Sequence, residues 1–162
     1  MKRLTEAGLS EDDIMSAGAS FVLEIMARHA EPAARLCKKD PLALGHTSIL
    51  SKMFVNAKYV LMIRDGRAVV HSLITRKVPI VGFNFSSYRD GMMSWNKLMS
   101  KLNAECKSVG VEKCMKVYYE QLVLHPEQTM RNVSAFLDVP WDEAVLSHEE
   151  LINKPGGISL SR

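Results

Sequence analysis

Arginine, serine and arginine recur at Arg64, Ser72 and Arg76 in "RDGRAVVHSLITRK", and these side chains are suited to holding an anion. The planar fork of an arginine can grip two phosphate oxygens through parallel charge-assisted hydrogen bonds. Arg64 closes "KYVLMI", the most strand-like run in the chain, and Asp65-Gly66 reads as a turn. From Arg67 to Lys77 the spacing predicts a helix with Val69, Val70, Leu73 and Ile74 on one face. Ser72 and Arg76, four residues apart, then share one side of that helix, off the Val69/Leu73 face. In open α/β sheets ligands sit beyond the carboxyl ends of the strands, where helix amino termini also point. One hydroxyl and two guanidiniums on that edge suit a phosphate monoester. The alternative is a solvated surface, with Arg64 and Arg67 as ordinary charges and Ser72 as filler. Residue types alone leave both open.

Two further clusters carry chemistry less specifically. In "CKKDP", Lys39 stands near a predicted extended segment and could stabilise negative charge on a transferring group, or be one of two solvated lysines before a proline turn. In "VYYEQL", one of two adjacent tyrosines on a strand must face away from the other. Core packing accounts for either ring, and contact with a nucleotide is the sharper option for one. Met92, Met93 and Met99 read as core filling. The five histidines are scattered, with no His-x₃-His or Cys-x₂-Cys, so no metal is expected. Neither a G-x-S-x-G elbow nor an intact P-loop or dinucleotide glycine fingerprint is present.

The elements that must position these residues follow from periodicity and punctuation. Ser10 and Asp13 form a capping-box pattern ahead of an amphipathic helix over 11–29. Pro32 and Pro41 bracket an extended segment near Arg35 to Lys38, and a short helix is expected from Ser48 to Phe54. "AKYVLMIR" suits a central parallel strand buried on both faces. A long helix is predicted from Tyr88 to Glu105, with Met92, Trp95, Met99 and Leu102 at helical spacing. "MKVYYEQLV" is a second strand, ended by His125-Pro126. Residues 127–137 and Trp141 to Ile152 complete the set as helices. Strands joined through helices imply crossovers and an α/β fold: a parallel sheet flanked by helices. Residues 1–162 read as part of one domain, without repeats or linkers.

The totals exclude several classes. With 162 residues, 21 basic and 18 acidic side chains and a net charge of +3, the chain suits an anionic ligand. It lacks the basic runs and motifs of a nucleic-acid binder. No apolar stretch approaches the ~20 residues that cross a bilayer, and no signal peptide opens the chain. Both ends read as the interior of a longer protein. Cys37, Cys106 and Cys114 could be three buried thiols of a reduced compartment. Equally, Cys106 and Cys114 flank a polar loop, "KSVGVEK", that suits a disulfide and hence a secretory compartment. Asn84-Phe-Ser86 and Asn132-Val-Ser134 are permissive for glycosylation.

Several stretches together resemble the protein-tyrosine sulfotransferases: "LTEAGLSEDDI", "EPAARLCKKDP", "VLMIRDGRAVVHSLITRKVPIVGF", "SSYRDGMMSWN", "EKCMKVYYEQLVLHP" and "LINKPGGISLS". They span nearly the whole chain in that family's order. The resemblance implies a partial sulfotransferase fold of P-loop-NTPase-like type. It implies sulfuryl transfer from 3′-phosphoadenosine 5′-phosphosulfate to tyrosines in acidic stretches of secreted and membrane proteins. Arg64, Ser72 and Arg76 would hold the 3′-phosphate side of that co-substrate, and Tyr119 would contact it. Lys39 would stabilise the transferring group, and Arg3 is a weaker candidate for the acidic peptide. Cys106–Cys114 would be the family's local disulfide, with Cys37 pairing upstream. A homodimer in the Golgi lumen, anchored by a helix missing here, is implied as well.

On the same resemblance, the 5′-phosphosulfate loop and the catalytic glutamate lie before residue 1, and further co-substrate contacts lie beyond Arg162. The competing expectations are a carbohydrate or small-molecule sulfotransferase, a kinase-like P-loop module, and a non-catalytic relative that binds secretory peptides. Residues 1–162 alone are therefore expected to show no sulfotransferase turnover. A radiolabelled-sulfuryl transfer assay on the purified chain checks this, and measurable turnover overturns it.

Overall fold

A computed structural model describes residues 2–29, 33–40, 42–78, 80, 83–84 and 86–154. They fall into two compact units: residues up to 59 with 99–114, and 60–98 with those from 115 onward.

In the first unit, α1 (Lys2–Glu6) leads to α2 (Glu11–His29). The capping box is formed: Ser10 Oγ accepts the Asp13 N–H at 3.1 Å, and the Asp13 carboxylate accepts the Ser10 N–H at 3.0 Å. This satisfies amide groups that a helix start leaves without internal partners. Three acidic residues in the first turn of α2 and Arg28 and His29 in its last complement the helix dipole. Ala19 is buried, and Gly18 packs closely enough on Met53 that an added Cβ would stand 3.2 Å from its terminal methyl.

The segment expected to be extended near Arg35–Lys38 bends at 34–35 and is irregular and exposed through residue 40, with no ladder partner among the described residues. The Asp40 carboxylate instead accepts the N–H groups of Leu42 and Ala43, bending the chain into a 3₁₀ turn at Ala43–His46. Helix α3 follows at Thr47–Met53, one residue earlier than expected. Its Ser48 N–H is taken by the Glu105 carboxylate at 2.9 Å, which holds that carboxyl below its usual range. Cys106 and Cys114 are joined, with Cα atoms 5.4 Å apart, and both are buried. Gly110, at φ +86, makes the turn between them, and Cys37 is an exposed free thiol.

The sheet consists of two parallel strands, β1 (Tyr59–Ile63) and β2 (Cys114–Tyr118). Leu61 is 2% exposed but Met62 is 45% exposed, so β1 is not buried on both faces as its apolar run predicts. Alternation sends Met62 to solvent, while Leu61 on the opposite face is buried.

In the second unit, helix α4 (Gly66–Thr75) buries Val70 completely and ends two residues sooner than its spacing predicts. Lys77 turns to φ 52 and gives its N–H to Ile74, which stops the helix. Helix α5 (Tyr88–Val109), whose residues from 99 onward belong to the first unit, opens on Ser87, whose Oγ accepts the Asp90 N–H at 3.1 Å. It runs four residues past the expected end at Glu105, to the turn at Gly110. Helices α6 (Tyr119–Leu124) and α7 (Pro126–Leu137) follow. The final helix predicted over Trp141–Ile152 is two 3₁₀ turns, Glu143–Leu146 and His148–Leu151. Asp142 caps the first through the Ala144 N–H, and the Ser147 N–H closes it onto the Ala144 carbonyl, so α-helical bonding never propagates.

The start of α4 is set by Gly66. A Cβ there would lie 2.7 Å from the Trp95 ring, inside the closest approach real side chains show. Gly66→Ala is expected to cost about 1–3 kcal/mol through overpacking. Urea melts followed by tryptophan fluorescence check this, with a lowered midpoint at unchanged m-value as the expected result.

Candidate anion-binding site

Arg64 follows the last residue of β1, and Tyr119 follows the last residue of β2. Because the strands are parallel neighbours, both stand at the carboxyl edge of the sheet, where α/β folds bind ligands. The Arg64 guanidinium carbon lies 4.7 Å from the centroid of the Tyr119 ring, a cation–π stack. Tyr119 reaches that position as the first residue of α6, not as a strand residue. Tyr118 still has extended backbone, and the chain coils from the next residue, so helix geometry and not strand alternation aims the Tyr119 ring.

The backbone beneath Arg64 is tied across the sheet edge. The Asp65 N–H donates to Glu120 Oε1 at 2.9 Å, linking residues 55 apart in the chain. The Asp65 carboxylate turns the other way and caps α4, accepting the Arg67 N–H at 2.8 Å and the Arg67 guanidinium. Hydrogen bonding from the Arg67 side chain and then from its backbone holds the Asp65 carboxyl at about 2, below its ordinary value of 3.8. The amino end of α4 is thus already answered by a carboxylate. An anion at this edge meets that carboxylate at the helix start, which favours side chains as its donors.

Those side chains now separate. Arg67 is engaged by Asp65, whereas no carboxylate pairs with Arg64 or Arg76 among the described residues. Ser72 is half-buried on the second turn of α4. Arg76 is the exposed C-cap, roughly 6 Å further along the helix axis. Arg64 and Tyr119 are in contact; Ser72 and Arg76 are related to them through α4. Lys39 belongs to the other unit, exposed on the irregular segment before Asp40. Arg3 is on α1, and its side chain lies outside the described residues.

Residue types did not single out Glu120 or the hydrogen bond between His71 Nδ1 and the Tyr88 hydroxyl at 3.0 Å. Both join residues far apart in sequence, and no local pattern marks them. An open depression lined by His125, Pro126, Glu127, Gln128, Arg131 and Leu146 contains none of the candidate residues. Arg131 there is already stacked 4.1 Å over Trp141 and paired with Glu127 and Glu143. Among the described residues no group of three or more His, Cys, Asp or Glu could hold a metal, and no helix is long and apolar enough to cross a membrane.

The model of the Sulfotransferase family matches residues 3–143. The chain belongs to that family. It is 56% identical over 160 residues to the protein-tyrosine sulfotransferase of Drosophila melanogaster, covering 99% of this chain and 32% of that one. It is 53% identical to protein-tyrosine sulfotransferase 1 of Homo sapiens, covering 99% and 43%. The chain therefore spans between a third and a half of the length of these relatives. Among solved structures, the sulfotransferase domain from the curacin biosynthetic pathway matches with a TM-score of 0.57 at 26% identity, over 70% of this chain and 42% of that one. The α/β class expected from sequence is that of the family, and the strand–turn–helix carrying Arg64, Ser72 and Arg76 lies inside the matched region.

The depressed Asp65 carboxyl has a consequence for stability. Its cap contributes fully above the ordinary value of 3.8 and is lost as pH falls through about 2. Thermal melts between pH 5 and 2 are expected to show a stability loss that is smaller in Asp65→Asn, which lacks the titrating group.

Proposed function

We propose that this chain is the central part of a protein-tyrosine sulfotransferase, moving a sulfuryl group from 3′-phosphoadenosine 5′-phosphosulfate to tyrosine hydroxyls in acidic stretches of protein. The reading is carried by its 56% identity, over nearly its whole length, to a protein of that name. The sheet edge fits the group to be bound. Arg64 and Arg76 carry positive charge with no carboxylate partner among the described residues, and Ser72 adds a hydroxyl one helical turn from Arg76.

In this reading Arg64, Ser72 and Arg76 hold the 3′-phosphate, and the Tyr119 ring lies against the nucleotide. Lys39 stabilises charge on the sulfuryl group as its bond to the donor breaks and the bond to the tyrosine oxygen forms. The Cys106–Cys114 bridge supports a secretory, oxidising compartment; the choice of the Golgi lumen rests on the family resemblance alone.

Acceptor choice and nucleotide selectivity test this. With a radiolabelled sulfuryl donor, the chain extended to the length of its relatives is expected to label an acidic tyrosine peptide in preference to a glycan. Labelling of the glycan alone favours a carbohydrate sulfotransferase. By calorimetry the protein is expected to prefer adenosine 3′,5′-bisphosphate over AMP. Arg64→Ala should reduce that preference roughly 10- to 100-fold, the size of a lost charge-assisted hydrogen bond. An unchanged preference removes Arg64 from the site.

A further inference from the structure

Glu120 makes the contact that the candidate site most needs and that no charge argument would ask for. The ladder between β1 and β2 ends at Ile63 and Tyr118, so the backbone beyond it has no strand partner. The Asp65 N–H donates outside its own segment, to Glu120 Oε1 at 2.9 Å. Asp65 cannot hold itself in place, because its carboxylate is directed into the first turn of α4. Tyr119, directly before Glu120, carries the ring on which Arg64 stacks. Glu120 therefore locks the backbone next to one half of the stack from the backbone that bears the other half.

The charges facing this point sharpen the inference. Asp65 and Arg67 neutralise each other, and Glu120 brings a further negative charge to the sheet edge that carries Arg64. A negative charge beside an anion site weakens binding. What Glu120 contributes must then be geometric: an acceptor of the right reach. We infer that Glu120 is a positioning residue of the proposed 3′-phosphate clamp, accepting the Asp65 N–H and so fixing the Arg64 guanidinium over the Tyr119 ring. The inference rests on the function proposed above for the clamp itself, but its geometric half stands without it.

Two readouts on Glu120→Gln, Glu120→Ala and Glu120→Asp test this. In the ligand-free protein, the Tyr119 ring current should displace the Arg64 side-chain proton resonances. Glu120→Ala should abolish that displacement, and Glu120→Gln, whose amide oxygen still accepts the N–H, should keep it. The affinity ratio of adenosine 3′,5′-bisphosphate to AMP should fall at least tenfold in Glu120→Ala and be held or raised in Glu120→Gln. If Glu120→Ala fails to fold, Glu120→Asp decides. It keeps a first-turn carboxylate but is one methylene too short, and should behave as Ala does. A ring-current displacement that persists in both Ala and Asp overturns the inference, as does its loss in Gln, which would make charge the operative property. An unmodified protein with no preference for the 3′-phosphate overturns the clamp reading instead, and the resonance displacements still decide what Glu120 holds.

Discussion

Residue 65 is gripped from two sides, and the second unit's sheet edge depends on both grips. Its N–H crosses to Glu120, and its carboxylate closes the first turn of α4. One residue later Gly66 passes so near Trp95 that no side chain fits. Together these set where β1 stops and α4 starts and leave Arg64 little freedom of backbone. A long, solvated arginine normally loses much rotamer entropy when it binds. Anchoring its backbone and resting its guanidinium on an aromatic face reduce what remains to be ordered.

The same arrangement decides what kind of anion site this can be. Many phosphate sites use the bare N–H groups and dipole of a helix start. Here the aspartate of the turn already accepts the Arg67 N–H of that start, together with the Arg67 guanidinium. In the clamp proposed above, affinity comes from Arg64, Ser72 and Arg76, spread along one helix and the strand end before it. Such a site measures the span between donors. It is more demanding of backbone placement than a single helix terminus, and the cross-strand tie at Glu120 answers that demand.

Helix starts were the most legible features in the chain. Ser10 with Asp13 marks α2 to the residue, because a capping box is a contact between near neighbours. The β1–α4 unit was legible for the same reason: an apolar run, a turn pair and a helical repeat are local patterns. The errors share an opposite cause. Tyr119 reads as strand because nothing nearby announces that the chain coils there, and the Glu120 contact found beside it joins residues 55 apart. Trp141–Ile152 has apolar spacing fit for a helix, yet caps at Asp142 and Ser147 split it into 3₁₀ turns.

Local chemistry in the chain was enough for the order of strands and helices, for a positively charged strand end, and, through resemblance, for the family. Contacts between distant residues did the sorting. They separated Arg64, without a carboxylate partner among the described residues, from Arg67, engaged by Asp65, two residues that composition treats alike. They also brought in Glu120, set the Asp65 carboxylate against the amino end of α4, and joined Cys106 to Cys114 with Cys37 an exposed thiol. The physical reason is one of range. Propensity and capping act over about four residues, whereas a guanidinium's availability depends on which acid the fold brings beside it.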